Sequence, residues 1–343
     1  MEYIIHIDGS FGEGGGQILR TSLALSLVTG KPFHITNIRA GRGKPGLMRQ
    51  HLTAVEAAAR VGAADVEGNS LGSPELTFRP QAVVAGQYSF AVGTAGSCTL
   101  VLQTILPALL TASEPSHIIL EGGTHNPMAP PFDFLIGTYL PIVNRMGPRV
   151  AAVLERPGFF PAGGGRMTVE IEPAGALSPI TLLERGPVQK QSARAMVARL
   201  PRTIAERELE VIRETLALDR NALQVEEVSD SKGPGNVILV EVASRYVTET
   251  FTGFGERGVP AEQIAQKTAQ AVREYLKAEV PVGRYLADQL LVPLALAGGG
   301  SFRTLSPTDH TTTNVEVIKR FLDVDVSVDM TDDRTCTISL ERR

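Results

Sequence analysis

Strand, glycine-rich loop and helix follow one another near the start of this chain, and then do so again. Residues Glu2 to Ile7 alternate in the manner of a strand and run into DGSFGEGGGQ, after which ILRTSLALSLVT has helical spacing ended by Gly30. FHITNIR then reads as a strand, AGRGKPGLM as a polar glycine loop, and RQHLTAVEAAARV as an amphipathic helix closed by Gly62. Two such units in succession predict an α/β (α+β) fold, because each helix carries the chain back so that the next strand can lie beside the last.

The theme continues with variations. Short β-like runs between Leu76 and Val92 are broken by Gly and Pro, and TLVLQTILPALLTA gives an apolar helix interrupted by Gln103. HIILEGG reads as a strand, FDFLIGTYLPIVNRMG as a helix, and FFPAGGGRMTVEIEP as a hairpin-like return. Gly-Gly-Gly at 14–16, 163–165 and 298–300 falls at loosely similar places in successive strand-rich units, a hint of internal duplication. Between residues 185 and 280 the texture changes: the charged helices RTIAERELEVIRETLAL and AEQIAQKTAQAVREYLKA flank the strand NVILVEVAS. This predicts an α/β module inserted into a main body made of residues 1–184 and 281–343, the latter stretch carrying the apolar helix LADQLLVPLALAGG and the strands DVDVSVDM and TCTISLE.

Length agrees with a body plus a module, since 343 residues exceed the size at which single cores stop growing, about 250–300 residues. Hydrophobic residues at 43% and charged residues at 20% give enough apolar surface to bury a sizeable core. No apolar run approaches the ~18 residues of a membrane span, and MEYIIHID lacks the features of a signal peptide, so a cytoplasmic location without a membrane partner is expected. Cys98 and Cys336 lie far apart and match neither a disulfide framework nor paired ligand spacing, so both are expected to be buried apolar residues. A formal net charge of -4 argues against binding along a nucleic-acid duplex and leaves a small anionic target open.

Four places could carry chemistry. The first glycine loop lies between strand and helix, where backbone N–H groups can hold phosphate, although Gln17 departs from both nucleotide-loop patterns and such a loop alone is more often a tight turn. Glu13 within it would repel phosphate unless it binds an accompanying divalent cation (Mg²⁺ or Mn²⁺); a lone Glu is more often simply solvated. Arg39, Arg42, Lys44 and Arg49 fall in one glycine-rich run with no acid among them, and Gln50 follows; guanidinium groups chelate phosphate oxygens, while the plainer reading is a solvated charged loop. His310 lies ahead of an expected helix whose start carries the capping pattern Thr313 to Glu316. A helix start favours a transferred phosphate and neutral imidazole is nucleophilic, yet a single histidine in a polar turn is usually a surface residue. Tyr285, Asp288 and Gln289 begin an apolar helix, with Tyr285 and Gln289 on one face, a set able to recognise a purine and its ribose or merely to start a helix.

Five segments in order, DGSFGEGGGQILR, IRAGRGKPGLMRQHL, EGGTHNPMAPPFDF, YLADQ and TDHTTTNVEVI, resemble the RNA 3′-terminal phosphate cyclase family, in its ATP-dependent branch, over essentially the whole chain. The resemblance implies a main body of repeated βαβαββ units similar to the C-terminal domain of translation initiation factor 3, with a smaller inserted thioredoxin-like α/β domain. It also implies that a histidine attacks the α-phosphorus of ATP, that AMP passes to an RNA 3′-phosphate, and that O2′ then closes a 2′,3′-cyclic phosphate. Carried onto this sequence, His310 becomes the nucleophile, Glu13 the metal ligand, and Arg20, Arg39, Arg42 and Gln50 phosphate contacts. Gln103, Pro130, Phe134, Tyr285, Leu286, Ala287, Asp288 and Gln289 become the nucleoside pocket. The partners so implied are ATP and an RNA ending in a 3′-phosphate, and a homodimer is compatible. Two other readings share the fold: a ribosome-biogenesis factor without nucleotidyl transfer, which lacks the histidine, and a sugar-nucleotide or shikimate-type transferase, which needs no histidine-linked AMP.

Overall fold

The computed structural model describes residues 3–343, so Glu2 of the first expected strand lies outside the described residues. The described strands form four sheets of four strands each, and three of these sheets repeat one topology. The first unit is β1 (Ile5–Asp8), α1 (Gly16–Thr29), β2 (Phe33–Thr36), α2 (Arg49–Val61), β3 (Asp65–Glu67) and β4 (Leu76–Arg79), in the sheet order β1-β2-β4-β3. β1 and β2 are parallel, with Ile5 opposite Phe33, and β4 returns antiparallel to β2.

The second unit repeats that path with β5 (Gln87–Ala91), α3 (Cys98–Leu109), β6 (Ser116–Gly122), a helical stretch, β7 (Arg149–Arg156) and β8 (Gly165–Glu172), ordered β5-β6-β8-β7. The helical stretch is α4 (Phe132–Phe134), a wide π turn over Leu135–Tyr139, and α5 (Leu140–Asn144). Pro141, which has no N–H for the regular ladder, is the second residue past the π turn. The third unit is β9 (Thr181–Leu182), then α8 (Arg284–Leu296), β14 (Gly299–Leu305), α9 (Asp309–Phe321), β15 (Val324–Met330) and β16 (Thr335–Arg342), ordered β9-β14-β16-β15.

Between β9 and α8 lies a fourth sheet from β10 (Val188–Ala198), α6 (Arg202–Leu216), β11 (Leu223–Val228), β12 (Gly235–Ser244), β13 (Thr248–Phe254) and α7 (Ala261–Ala278), in the order β11-β10-β12-β13. Its core is separate, built from Ala195, Val197, Val240, Ile212, Ala269 and Tyr275 among others. The three repeats share one larger cluster in which Phe33 and Phe78 are fully buried, and truncating either to Ala would cost about 3–5 kcal/mol. No described helix is long and apolar enough to cross a membrane.

The first two helices end where glycine stands, α2 at Gly62 and α1 at Gly30, whose φ of 69° lets its N–H return to the Ser26 carbonyl at 2.9 Å. The duplication is real in topology, but the Gly-Gly-Gly triplets do not mark it. The first precedes a helix, the second leads into the last strand of its unit, and the third starts a second strand, so each answers a different local need. Cys98 and Cys336 are both buried and unpaired, as their isolation in sequence implied.

Candidate active site

The glycine loop that turns β1 into α1 is shaped by side chains that reach it from elsewhere in the chain. A Cβ at Gly12, whose φ is 59°, would collide with the Thr313 hydroxyl, and one at Gly16 with the ring of His51 and the guanidinium of Arg20. Only glycine lets these groups close around the loop. Thr313 Oγ1 accepts the Glu13 N–H at 3.1 Å, and Arg42 reaches across to the Glu13 carboxylate and, at 3.2 Å, to its carbonyl. Glu13 thereby becomes a fixed group: its side chain is 6% exposed, and its second oxygen lies 3.9 Å from His310 Nδ1.

Cations outnumber this one carboxylate. Arg39 donates to the carbonyls of Lys44 at 2.6 Å and Gly46 at 3.1 Å, so it closes its own loop while adding charge. Burial lowers its pKa, Arg42 lowers it further, and Glu13 opposes both. Burial brings Arg20 down to about 10, against the attraction of Glu13, which leaves it cationic at neutral pH. A chain that is acidic overall therefore concentrates positive charge at this loop.

The starts of other helices complete the region. Gln50 Oε1 accepts the Ser97 N–H at 2.7 Å, tying the start of α2 to the N-cap of α3. Thr99 donates to the Pro130 carbonyl at 2.7 Å, and one turn on, the Gln103 amide bonds Gln289 of α8. Gln289 Nε2 returns to the Tyr285 carbonyl at 3.0 Å, and Tyr285 itself is 75% exposed, its ring uncovered. Pro130, Gln103, Gln289 and Tyr285 thus border a common region between α3, α8 and the 124–134 loop. Three expected pocket residues lie deeper: Phe134, Leu286 and Ala287 are buried in the main core, because they fall on the inward faces of their helices. Their side chains offer no free face to a ligand.

His310 lies inside the first turn of α9 rather than ahead of it, which corrects the expected capping pattern. The N-cap is Thr308, whose hydroxyl accepts the Thr311 N–H at 3.2 Å, while Thr313, expected to cap, is spent on Glu13. His310 Nδ1 bonds Gln17 Oε1, and since an amide oxygen can only accept, Nδ1 carries a proton, so that in the neutral ring the lone pair is on Nε2. Half of the side chain is exposed. One residue along, Thr311 donates to Asp288, as does Thr308 at 3.3 Å, so α9 is latched to α8. Burial pushes Asp288 up to about 6, with the Thr311 hydrogen bond opposing it.

Two residues of the region escape a reading by residue type. Gln17 orients His310, and its signal was there to find: it is the residue that spoils the glycine-loop patterns. His51 faces the same loop; its Nδ1 accepts the Met48 N–H at 3.2 Å, so the proton resides on Nε2, the nitrogen nearest Gly16. Burial, then Arg20 and Arg39, bring it down to about 3, which keeps the ring neutral and a hydrogen-bond donor. A histidine three residues into a helix that follows a basic glycine loop is the pattern that would have exposed it. Among the described residues no group of three or more His, Cys, Asp or Glu could hold a metal ion. Glu13 is a lone carboxylate here, which suits Mg²⁺, an ion commonly held by one or two carboxylates together with substrate phosphates.

Helix starts from all three repeats, a surplus of guanidinium groups and an imidazole with one unbonded nitrogen define an α/β protein whose repeats converge on a site suited to an anionic ligand. The chain belongs to the RNA 3′-terminal phosphate cyclase family, whose family model matches residues 11–328. It is 53% identical to an RNA 3′-terminal phosphate cyclase of Koribacter versatilis over 97% of this chain and 93% of the relative. A protein of the same name from Ectopseudomonas mendocina is 48% identical over 98% of each chain. A third, from Ralstonia nicotianae, is 51% identical over 94% of this chain and 93% of its own.

Proposed function

We propose that this protein converts an RNA 3′-terminal phosphate into a 2′,3′-cyclic phosphate at the expense of ATP, through AMP carried on His310. The observation that carries the reading is the placement of His310: its Nδ1 proton is held by Gln17, and Nε2 is left free at a helix start beside the glycine loop and its arginines. In the first step Nε2 attacks the α-phosphorus of ATP, a P–N bond forms, and pyrophosphate leaves. Arg20, Arg39, Arg42, Gln50 and the His51 Nε2–H offset the negative charge on the phosphates, and the α9 N-terminus favours phosphate on the histidine. Glu13 would hold the divalent cation, which supplies further neutralisation of phosphate charge when bound. Tyr285 and Pro130 take the base between them, and Gln103, Asp288 and Gln289 serve its polar edges and the ribose.

A phosphoramidate is reactive enough to give up AMP, so the RNA 3′-phosphate oxygen next attacks the same phosphorus and frees the histidine. The resulting anhydride turns the terminal phosphate into an electrophile with AMP as leaving group. O2′, held on the same ribose, closes the ring, and its proximity supplies much of the acceleration. The three like units support a likeness to the C-terminal domain of translation initiation factor 3, and the β11-β10-β12-β13 sheet supports a thioredoxin-like insert. In this reading residues 1–184 and 281–343 form the catalytic domain, residues 185–280 form the insert, and the enzyme works on cytoplasmic RNA.

The test is incubation with Mg²⁺ and ATP labelled at the α-phosphorus, without RNA. Acid-labile label on the denatured protein, absent from His310→Ala, is the expected result. No label under any of several divalent metals would overturn the reading.

A further inference from the structure

The fourth sheet meets the main body at both sides of the region assigned to the nucleoside. On one side Arg194 of β10 bonds Asp133, which stands between Pro130 and Phe134 in sequence. Arg194 is itself braced by Glu226 at 2.6 Å. Asp133 accepts a second hydrogen bond from His125 Nε2 at 2.7 Å, and His125 Nδ1 takes the Thr124 hydroxyl at 2.9 Å. Thr124 Oγ1 in turn accepts the Gly158 N–H at 2.9 Å. Donors and acceptors match all along this chain with His125 neutral, and burial together with Arg194 keeps it so. The loop bearing Pro130 is thus fixed by a wired series that ends on the insert.

On the other side Glu249 of β13 accepts the N–H of Gly283 at 2.8 Å. Gly283 is the N-cap of α8 and lies two residues before Tyr285. Any Cβ at Gly283 would press on the Glu249 carboxyl, so the two fit without room to spare. Between the anchors, Thr138 donates to Thr250 at 2.9 Å and seats the insert on the helical stretch after Pro130.

We propose that the insert sets the spacing of the nucleoside pocket, with Arg194 and Glu249 as positioning residues. Arg194, through Asp133, holds the Pro130 wall, and Glu249, through Gly283, holds the Tyr285 wall. This rests on the reading that Pro130 and Tyr285 flank the base of ATP. Neither residue touches the reacting atoms, so loss of either loosens nucleotide binding and leaves the chemical step intact.

The experiment is self-adenylylation of the full chain with varied ATP and with GTP, alongside a thermal melt. Arg194→Met and Glu249→Ala are expected to raise the KM for ATP about tenfold, the equivalent of losing one charge-assisted or buried hydrogen bond, while the rate at saturating ATP stays within about twofold. The preference for ATP over GTP falls with it. Glu249→Gln, which still accepts from Gly283, restores the parent KM. Arg202→Met, which removes exposed ion pairs of the insert with Glu206 and Glu227, leaves KM unchanged and controls for general damage. Should Glu249→Ala fail to fold, Arg194→Lys, which cannot serve Asp133 and Glu226 as a planar fork, decides the matter by a KM shift in the same direction. Variants that lower the melting temperature but keep the parent KM would overturn the proposal, provided Tyr285→Ala raises KM. A Tyr285→Ala protein with unchanged KM would instead overturn the pocket itself and the proposal with it.

Discussion

Two histidines of this chain sit in polar segments, and the structure gives them opposite work. His125 is buried, with both ring nitrogens taken by Thr124 and Asp133. His310 is half-exposed, with one nitrogen taken by Gln17 and the other free. A ring whose two nitrogens are both engaged in the interior can organise but cannot attack, whereas a ring held at one nitrogen is oriented and still nucleophilic. What separates them is therefore the count of satisfied nitrogens: His125 is filled by residues near it in sequence, Thr124 and Asp133, whereas His310 takes its one partner, Gln17, from 293 positions away.

The contrast breaks most clearly on activity. His310→Ala is expected to lose AMP incorporation by on the order of 10³-fold or more while its thermal melt stays with the parent's, since the lost side chain fills no core. An inactive variant that also melts early would mean that His310 is structural after all. The reverse pattern is expected of His125→Ala: about 3 kcal/mol less stability by denaturant titration, because Thr124 and Asp133 lose a buried partner, with the folded fraction still taking up label. A parent-like midpoint would show that the buried network carries little. Next in size, Glu13→Ala is expected to raise the Mg²⁺ needed for half-maximal labelling roughly tenfold and to leave RNA binding nearly unchanged, as a lost oxygen ligand should. An identical metal response would reduce Glu13 to a brace for Arg42.

Much of this was legible in the chain itself. Gly30 and Gly62 end helices where they stand, and the strand–loop–helix order, the change of texture near residue 185 and the TDH segment led to the repeated fold, the extra sheet and His310. β3, β7, β9, β10, β11, β13 and β14 are not legible in the sequence, because Asp65–Glu67 and Thr181–Leu182 are too short to show a period and the others mix charged residues or glycines into the strand. The site was legible as types and not as pairs. Gln17 meets His310 across 293 positions and Arg194 meets Asp133 across 61, and no local pattern specifies such a meeting. Thr313 shows the same limit: a capping pattern with Glu316 is present in the sequence, yet the hydroxyl bonds Glu13 and the cap falls to Thr308.

The smallest expected effect is also the most direct probe of burial at His125. Its pKa is brought down to about 3 by burial first and by Arg194 second, from 6.5. Between these values the unfolded chain binds a proton that the folded one refuses, so the contribution of His125 is constant above about pH 6.5 and is lost as pH falls through this window. Each such group contributes at most about 1.4 kcal/mol per pH unit, and His51 contributes with the same sign, since it too is lowered to about 3. His125→Gln removes one of the two. It should therefore be less stable than the parent at pH 7.5, and the gap should narrow by about 1 kcal/mol for each unit below pH 6.5 in denaturant titrations. A gap that stays constant down to pH 5 would mean that His125 takes up a proton inside the folded protein. The Thr124 hydroxyl would then have to turn from donor to acceptor at Nδ1, and the difference between the two histidines would be one of access alone.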